Sequence, residues 1–278
     1  MSDRRLSVGV PRNAFVPSPV FVGVLALVVV SGYLTWNGIG NVRVDVFLMV
    51  ISIWILSLCL HEYAHAVVAF FSGDLGVADR GYLRLNPLKY THPLLSVGLP
   101  VIAVILGGIG LPGGAVWVDH QHIPGRLRHS LISAAGPATN VVFALLLAAP
   151  FVVGVADVQL ADNGLGQAIF MGETGSVEHL EFWAALALSA FLQVTASVLN
   201  FLPVPGLDGG NLIHPWLSPQ WQRGYNLMAP YGFILLFALL WQPRINGWFF
   251  AAVYWVAEVI GVPRILSQVG FELMRFWS

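Results

Sequence analysis

The sequence predicts an all-α polytopic membrane protein: about six transmembrane helices, a re-entrant segment, and a short β element near the functional site. Three observations carry this expectation. The 278 residues are 57% hydrophobic and 10% charged, with a mean hydropathy of +0.76, whereas a soluble domain is about 25% charged. The apolar residues fall in runs long enough to cross about 30 Å of hydrocarbon as helices. Clusters of proline, glycine and asparagine punctuate those runs sharply. The formal charge of −1, with no basic block, offers no nucleic-acid surface. The single cysteine, Cys59, excludes an internal disulfide framework and, inside an apolar run, reads as packing rather than as a ligand.

Residues 1–17 carry Arg4, Arg5 and Arg12 with two prolines and read as a cytoplasmic tail. The membrane-embedded part covers 18–262, with its core at 45–215. Residues 18–35 make a first span; the run is long and lacks a small-residue cleavage pattern, so it reads as a retained helix rather than a signal peptide. A turn at Asn37–Asn41 leads into a longer helix from Val44 to about Phe71, ended by Ser72-Gly73-Asp74. Residues 75–93 are polar and broken at Asn86-Pro87 and His92-Pro93. Leu94–Leu111 is apolar, but Gly98, Pro100, Gly107, Gly108 and Gly110 make it a poor straight helix. Gly113–Val118 reads as a short strand, and a further span runs from about Ser130 to Ala156. The loop Asp157–Glu178 holds four acidic residues and no lysine or arginine. Another span, Leu180 to about Leu202, is cut off by Pro203–Gly210, and two last spans lie near 226–241 and 246–262. Residues 263–278 form a short amphipathic segment suited to a surface helix. Ten tryptophans, among them Trp36, Trp216, Trp221 and Trp241 near span ends, fit an interfacial belt.

Within the second span, Leu58–Val67 places two imidazoles and a carboxylate in an apolar run. His61 and His65 are four apart, so on a helix they share one face and can ligate one metal ion. In the H-E-x-x-H arrangement the histidines hold zinc, and the glutamate, here Glu62, takes a proton from zinc-bound water. Chance alone yields roughly 0.005 such matches from this composition. Ionisable groups in a span also cost roughly 2.5–3.5 kcal/mol each, which is rarely tolerated without function.

A catalytic zinc takes three protein ligands and leaves a position open for water. Asp208, at the sharp break after the Leu180 span, is the natural third; taken alone it serves equally well as a helix N-cap. If Leu94–Leu111 crossed the membrane fully, Asp208 would fall on the wrong side from the histidines. A re-entrant segment restores the match. It also gathers 11 of the 13 basic residues on one side, leaving Arg43 and Arg244 outside, so both termini are expected in the cytoplasm.

These residues resemble the site-2 protease family of intramembrane zinc metalloproteases, in a compact form without appended soluble domains. The resemblance rests on His61-Glu62-Tyr63-Ala64-His65, on Gly136-Pro137-Ala138-Thr139-Asn140, and on Asn200 through Pro203-Val204-Pro205-Gly206-Leu207-Asp208-Gly209-Gly210. Arg84-Leu85-Asn86-Pro87 and Pro112–Val116 match more loosely. The family likeness implies that His61, His65 and Asp208 bind one Zn2+, that Glu62 is the general base, and that Asn140 lies near the site. Asn140 then serves as an oxyanion or substrate donor; a helix–helix hydrogen bond is nearly as good a reading on physics alone. Where relatives often carry a histidine and then an aspartate before proline, this chain has Tyr90 and His92 before Pro93, and that loop receives no catalytic role.

The implied activity is hydrolysis of peptide bonds in or near the transmembrane segments of single-span membrane proteins. The substrate unwinds locally and adds as a strand to the edge at Ala115–Val118; a plain turn there is the competing reading. Substrate choice rests on the membrane core, a regulatory partner, or a prior cut by another protease. The expected location is a prokaryotic plasma membrane. A metal transporter also places His and Asp in membrane helices but has no need of Glu62, and a silent membrane-protein binder has no need of the intact set. His120, His122 and His129 are irregularly spaced and read as a solvated loop rather than a second metal site. Glu258 in the last span reads as facing a cavity or a neighbouring helix, without an assigned role.

Overall fold

The computed structural model describes residues 13–89, 98–107, 116–156, 160–162, 168–170 and 178–277. The helices are α1 (Pro19–Asn37), α2 (Val42–Ser72), α3 (Gly76–Asp79), α4 (Leu99–Gly107), α5 (Arg126–Val152) and α6 (Leu180–Phe201). They continue with α7 (Asp208–Ile213), α8 (Pro219–Met228), α9 (Gly232–Trp241), α10 (Pro243–Val259) and α11 (Arg264–Met274). Four of these, α1, α2, α5 and α6, are long and apolar enough to cross a membrane; the count rises to six if α8–α9 and α10–α11 each form one bent span.

The bundle is built around α6. In its most apolar stretch 89% of the residues are buried, against 17% for α1 at the periphery. The reason lies in the sequence: α6 is rich in alanine and serine, so α2, α5 and α11 approach its backbone closely. Val46, Val50, Trp54 and Leu58 of α2 meet Ala184–Ala196 of α6 in the principal core. One polar link crosses this core, between Ser57 Oγ and Gln193 Oε1 at 2.5 Å.

Helix α2 starts where Asn41 Oδ1 accepts the N–H groups of Arg43 and Val44, an N-cap. It ends at Gly73 (φ 128°), whose N–H reaches Ala69 O and Phe70 O. Its 31 residues rise about 46 Å, more than a bilayer core requires. Helix α4 has nine residues, about 14 Å; residues 94–97 and 108–111 of the expected re-entrant segment lie outside the described residues.

Three expectations are revised. The short β element is absent from the described residues at its expected place: 116–119 form neither strand nor helix, and Pro112–Ala115 lie outside the described residues, as do Tyr90, His92 and Pro93. A two-stranded antiparallel ribbon forms instead between Leu160–Asp162 and Ala168–Phe170. The span expected at 226–241 is divided, because Ala229-Pro230-Tyr231 makes a 3-10 turn between α8 and α9, which bend by 75°. Finally, α11 is no surface helix. It turns back by 113° from α10, and its Leu266 and Met274 are fully buried in the principal core. Gly270 permits this approach, since a Cβ there would collide with Ala184 O of α6.

The C-terminal helix is therefore part of the core. Leu266→Ala is expected to destabilise the folded protein by about 2–5 kcal/mol through the cavity it leaves, read as a lower midpoint of thermal unfolding in detergent.

Candidate metal centre

The centre is assembled by three elements. The third and fourth turns from the end of α2 carry His61, Glu62 and His65, all buried. Helix α5 crosses them at Gly136, and α7 begins with Asp208. The Nε2 atoms of His61 and His65 are 3.0 Å apart. Asp208 Oδ2 lies 3.2 Å from the first and 3.4 Å from the second.

The outer ring nitrogens set what these atoms are. His65 Nδ1 is 2.6 Å from the carbonyl of Ile132. A carbonyl only accepts, so Nδ1 donates, and the neutral ring presents its Nε2 lone pair to the centre. His61 Nδ1 lies 3.3 Å from Asn140 Oδ1 and is fixed in the same sense. Two imidazole lone pairs and a carboxylate oxygen thus converge with no donor among them. Together, the three residues offer ligand atoms within 4.8 Å of one another. Three such acceptors packed in a buried space repel unless a cation sits between them. Two histidines and one carboxylate with an open side are the donor set of a catalytic zinc, and the site fits that ion.

Each ligand has its own support. Asp208 is the first residue of α7 and caps nothing; the N-cap position belongs to Leu207, so the carboxylate is free to turn to the histidines. The break before it is held by Tyr225, whose hydroxyl accepts from Gly206 N–H (3.2 Å) and donates to Asn211 Oδ1 (2.9 Å). The far end of α7 is tied to α5 by Ser130, which donates to Leu212 O (2.7 Å) and accepts from Trp216 Nε1–H (2.8 Å). Gly209 and Gly210 lie so close to the backbone of Phe201 and of Val204 that neither has room for a Cβ.

Glu62 sits one residue from the first ligand, with Oε1 4.0 Å from His61 Nε2. Its other oxygen, Oε2, accepts the backbone N–H of Val116 at 3.0 Å. That bond lays the segment Val116–Asp119 over the site. The segment is anchored in turn by Asp74, a buried carboxylate just past the end of α2. Asp74 accepts from Asp119 N–H (2.8 Å), Gly76 N–H (3.0 Å) and the Arg80 guanidinium (2.8 Å). The Arg80 guanidinium also lies over the exposed ring of Trp117 at 4.7 Å.

A cavity of about 780 Å³ opens onto this arrangement, with Glu62, His65 and Asp208 on its floor and Val116, Trp117 and Tyr225 among its walls. His120 and His129 stand at its margin. Partial desolvation, and next the His129 ring, hold His120 below the usual imidazole range. Hydrogen bonding from Gln121 N–H holds the carboxyl of Asp119 below the usual carboxylate range.

His61, Glu62, His65 and Asp208 are therefore brought together, and Asn140 is placed differently. Asn140 does not line the cavity; it lies behind His61, buried, with its amide oxygen on the outer ring nitrogen. The sequence reading missed the Ile132 carbonyl, Asp74, Ser130, and the steric role of Gly136. A Cβ on Gly136 would collide with the Nε2 atoms of both histidines. Glu258 is exposed near the end of α10.

Two histidines and a carboxylate with an adjacent glutamate, within a bundle of long apolar helices, make up the donor set of a metalloprotease centre. Comparison with known proteins agrees. The chain is 44% identical to "Putative zinc metalloprotease Rip2" of Mycolicibacterium smegmatis over 271 residues, 96% of each chain. It is 43% identical to the Rip2 protein of Mycobacterium tuberculosis H37Rv, again over 96% of each. The YwhC protein of Bacillus subtilis, given the same zinc metalloprotease description, is 30% identical over 190 residues, 68% of this chain and 78% of that one. No family model matches the sequence, and no solved structure matches it. The chain belongs to the site-2 protease family of zinc metalloproteases.

Two expectations follow. Gly136→Ala forces both imidazoles aside, and the purified protein should lose metal by about tenfold or more in retention against a chelator, with its helical circular dichroism unchanged. Asn140→Ala frees the His61 ring to rotate and should weaken metal affinity by about 10–100-fold in the same competition.

Proposed function

We propose that the protein is an intramembrane zinc endopeptidase, hydrolysing peptide bonds in or near the transmembrane segments of single-span membrane proteins. The observation that supports this best is the position of Glu62. A centre built only to move or store an ion needs three ligands, whereas here a fourth buried ionisable group faces the open side of the ligand set. In this reading His61, His65 and Asp208 hold one zinc per chain. When bound, zinc lowers the pKa of a coordinated water towards about 7 and polarises the scissile carbonyl.

The chain's own groups supply the rest. Glu62, which lines the cavity, accepts the proton of the attacking water through Oε1, while Val116 N–H holds Oε2. The same carboxyl then delivers the proton to the leaving amine. Asn140 acts as a positioning residue that keeps the His61 lone pair inward, in place of oxyanion donation, since it is not among the residues that line the cavity. Val116–Asp119, outside any sheet among the described residues, offers main-chain groups to an unwound substrate. A helical peptide bond has its carbonyl already hydrogen-bonded and must unwind before attack.

We place the domain at 18–262, flanked by a tail at 1–17 and by α11 and the few residues around it. The distribution of arginine and lysine supports cytoplasmic termini and a cavity open to the cytoplasm of a prokaryotic plasma membrane. Partners in this reading are the lipid bilayer, the single-span substrate, and a regulatory membrane protein or an upstream protease.

Glu62→Gln keeps the size of the side chain and removes the base. Cells carrying it should accumulate uncut single-span membrane proteins whose cytoplasmic fragments are present with the wild type, while the purified variant retains its zinc. Identical fragment profiles from two zinc-loaded, folded proteins would overturn the protease reading; a loss of zinc flux instead would indicate a transporter.

A further inference from the structure

The catalytic pair is not the only place where two imidazoles meet nitrogen to nitrogen. At the cavity margin, His120, from the 3-10 turn 120–122, and His129, in the first turn of α5, approach with Nδ1 to Nδ1 at 2.9 Å. The His61–His65 distance is 3.0 Å. The pair is formed by folding, since nine residues separate its members; no helical spacing advertises it.

The tautomer of one member is fixed. His129 Nε2 is 3.1 Å from the carbonyl of Ile123, so Nε2 donates and Nδ1 presents a bare lone pair towards His120. His120 is exposed, so its ring can place its own proton on the solvent side at little cost, turning a second lone pair to the same point. Depression of its basicity favours the neutral form that a metal needs. Asp119, adjacent in sequence, contributes the nearest negative charge. A third imidazole, His214, lines the same cavity, and its Nε2 is buried with no hydrogen-bond partner among the described residues.

We propose that His120 and His129 form a second transition-metal site at the mouth of the catalytic cavity, weaker than the first and selective for imidazole-preferring ions such as Zn2+. Two protein ligands leave the remaining positions to water, which sets the affinity below that of the buried three-ligand centre. Imidazole favours zinc, nickel and copper over magnesium or calcium. His120 and His129 line the same cavity as Glu62, so an ion held there occupies part of that cavity.

The test uses the full-length protein purified in detergent, stripped with a chelator and titrated with zinc alone, with bound metal counted by mass spectrometry and affinities taken by calorimetry. Wild type should bind two equivalents, tight and weak. His120→Ala, which leaves the His129 bond to Ile123 in place, should abolish the weak one or weaken it by about tenfold or more, and keep the tight one. His129→Gln should do the same. His61→Ala should lose the tight equivalent and keep the weak one. A single equivalent in the wild type, or a weak equivalent unchanged in His120→Ala, would overturn the second site. Loss of no equivalent in His61→Ala would instead count against the catalytic centre, so the two failures are distinguishable.

Discussion

Mutual repulsion between three acceptors is the constraint on which this structure depends. Two imidazole lone pairs and a carboxylate oxygen are held 3.0–3.4 Å apart in a space with little solvent, where an uncompensated arrangement is costly. A cation resolves it, but only if the protein prevents the simpler solution of letting the rings rotate away. Two outer hydrogen bonds prevent that, one to a main-chain carbonyl and one to an amide on the same helix. Helix α5 thus acts as a backing plate for α2, and every further element at the site serves to bring a third and fourth group against that plate.

The bundle supplies rigidity by two different means. Around α6, small side chains allow close helix contact, and among the described residues Ser57 and Gln193 make a polar cross-link within the core. At the cavity side the means are polar and local: Tyr225 and Ser130 clamp the two ends of the Asp208 segment, and Asp74 clamps Val116–Asp119. This division follows the solvent. Inside the bundle an unsatisfied polar group has nowhere to turn, whereas at the mouth water completes whatever the clamps leave over.

Much of this could be read from the chain. The helix spacing of His61 and His65 puts both rings on one face directly, and the break at Pro203–Gly210 marks where Asp208 can meet them. What stayed hidden has identifiable causes. The carbonyl of Ile132 carries no signature, since every residue has one. The sequence leaves Asn140 open between a substrate donor and a helix–helix hydrogen bond, because a residue type does not reveal which way a buried side chain points. The amphipathic pattern of 264–274 fits a membrane surface as well as a protein groove, and only Gly270 against Ala184 decides between them. The strand expected at Ala115–Val118 has the right composition, but a strand needs a partner, and among the described residues Val116 spends its N–H on Glu62 instead.

The flat face of α5 at Gly136 also limits how this molecule can move. With hydrogen in place of a side chain, the helix rests directly on the two rings, and its neighbours in sequence are Ala135 and Pro137. Sliding or rolling α5 along α2 would carry one of those side chains into the imidazoles. On this packing α2 and α5 form one rigid unit at the two rings, and room to move is left to the stretch over Glu62 and the helices beyond Asp208.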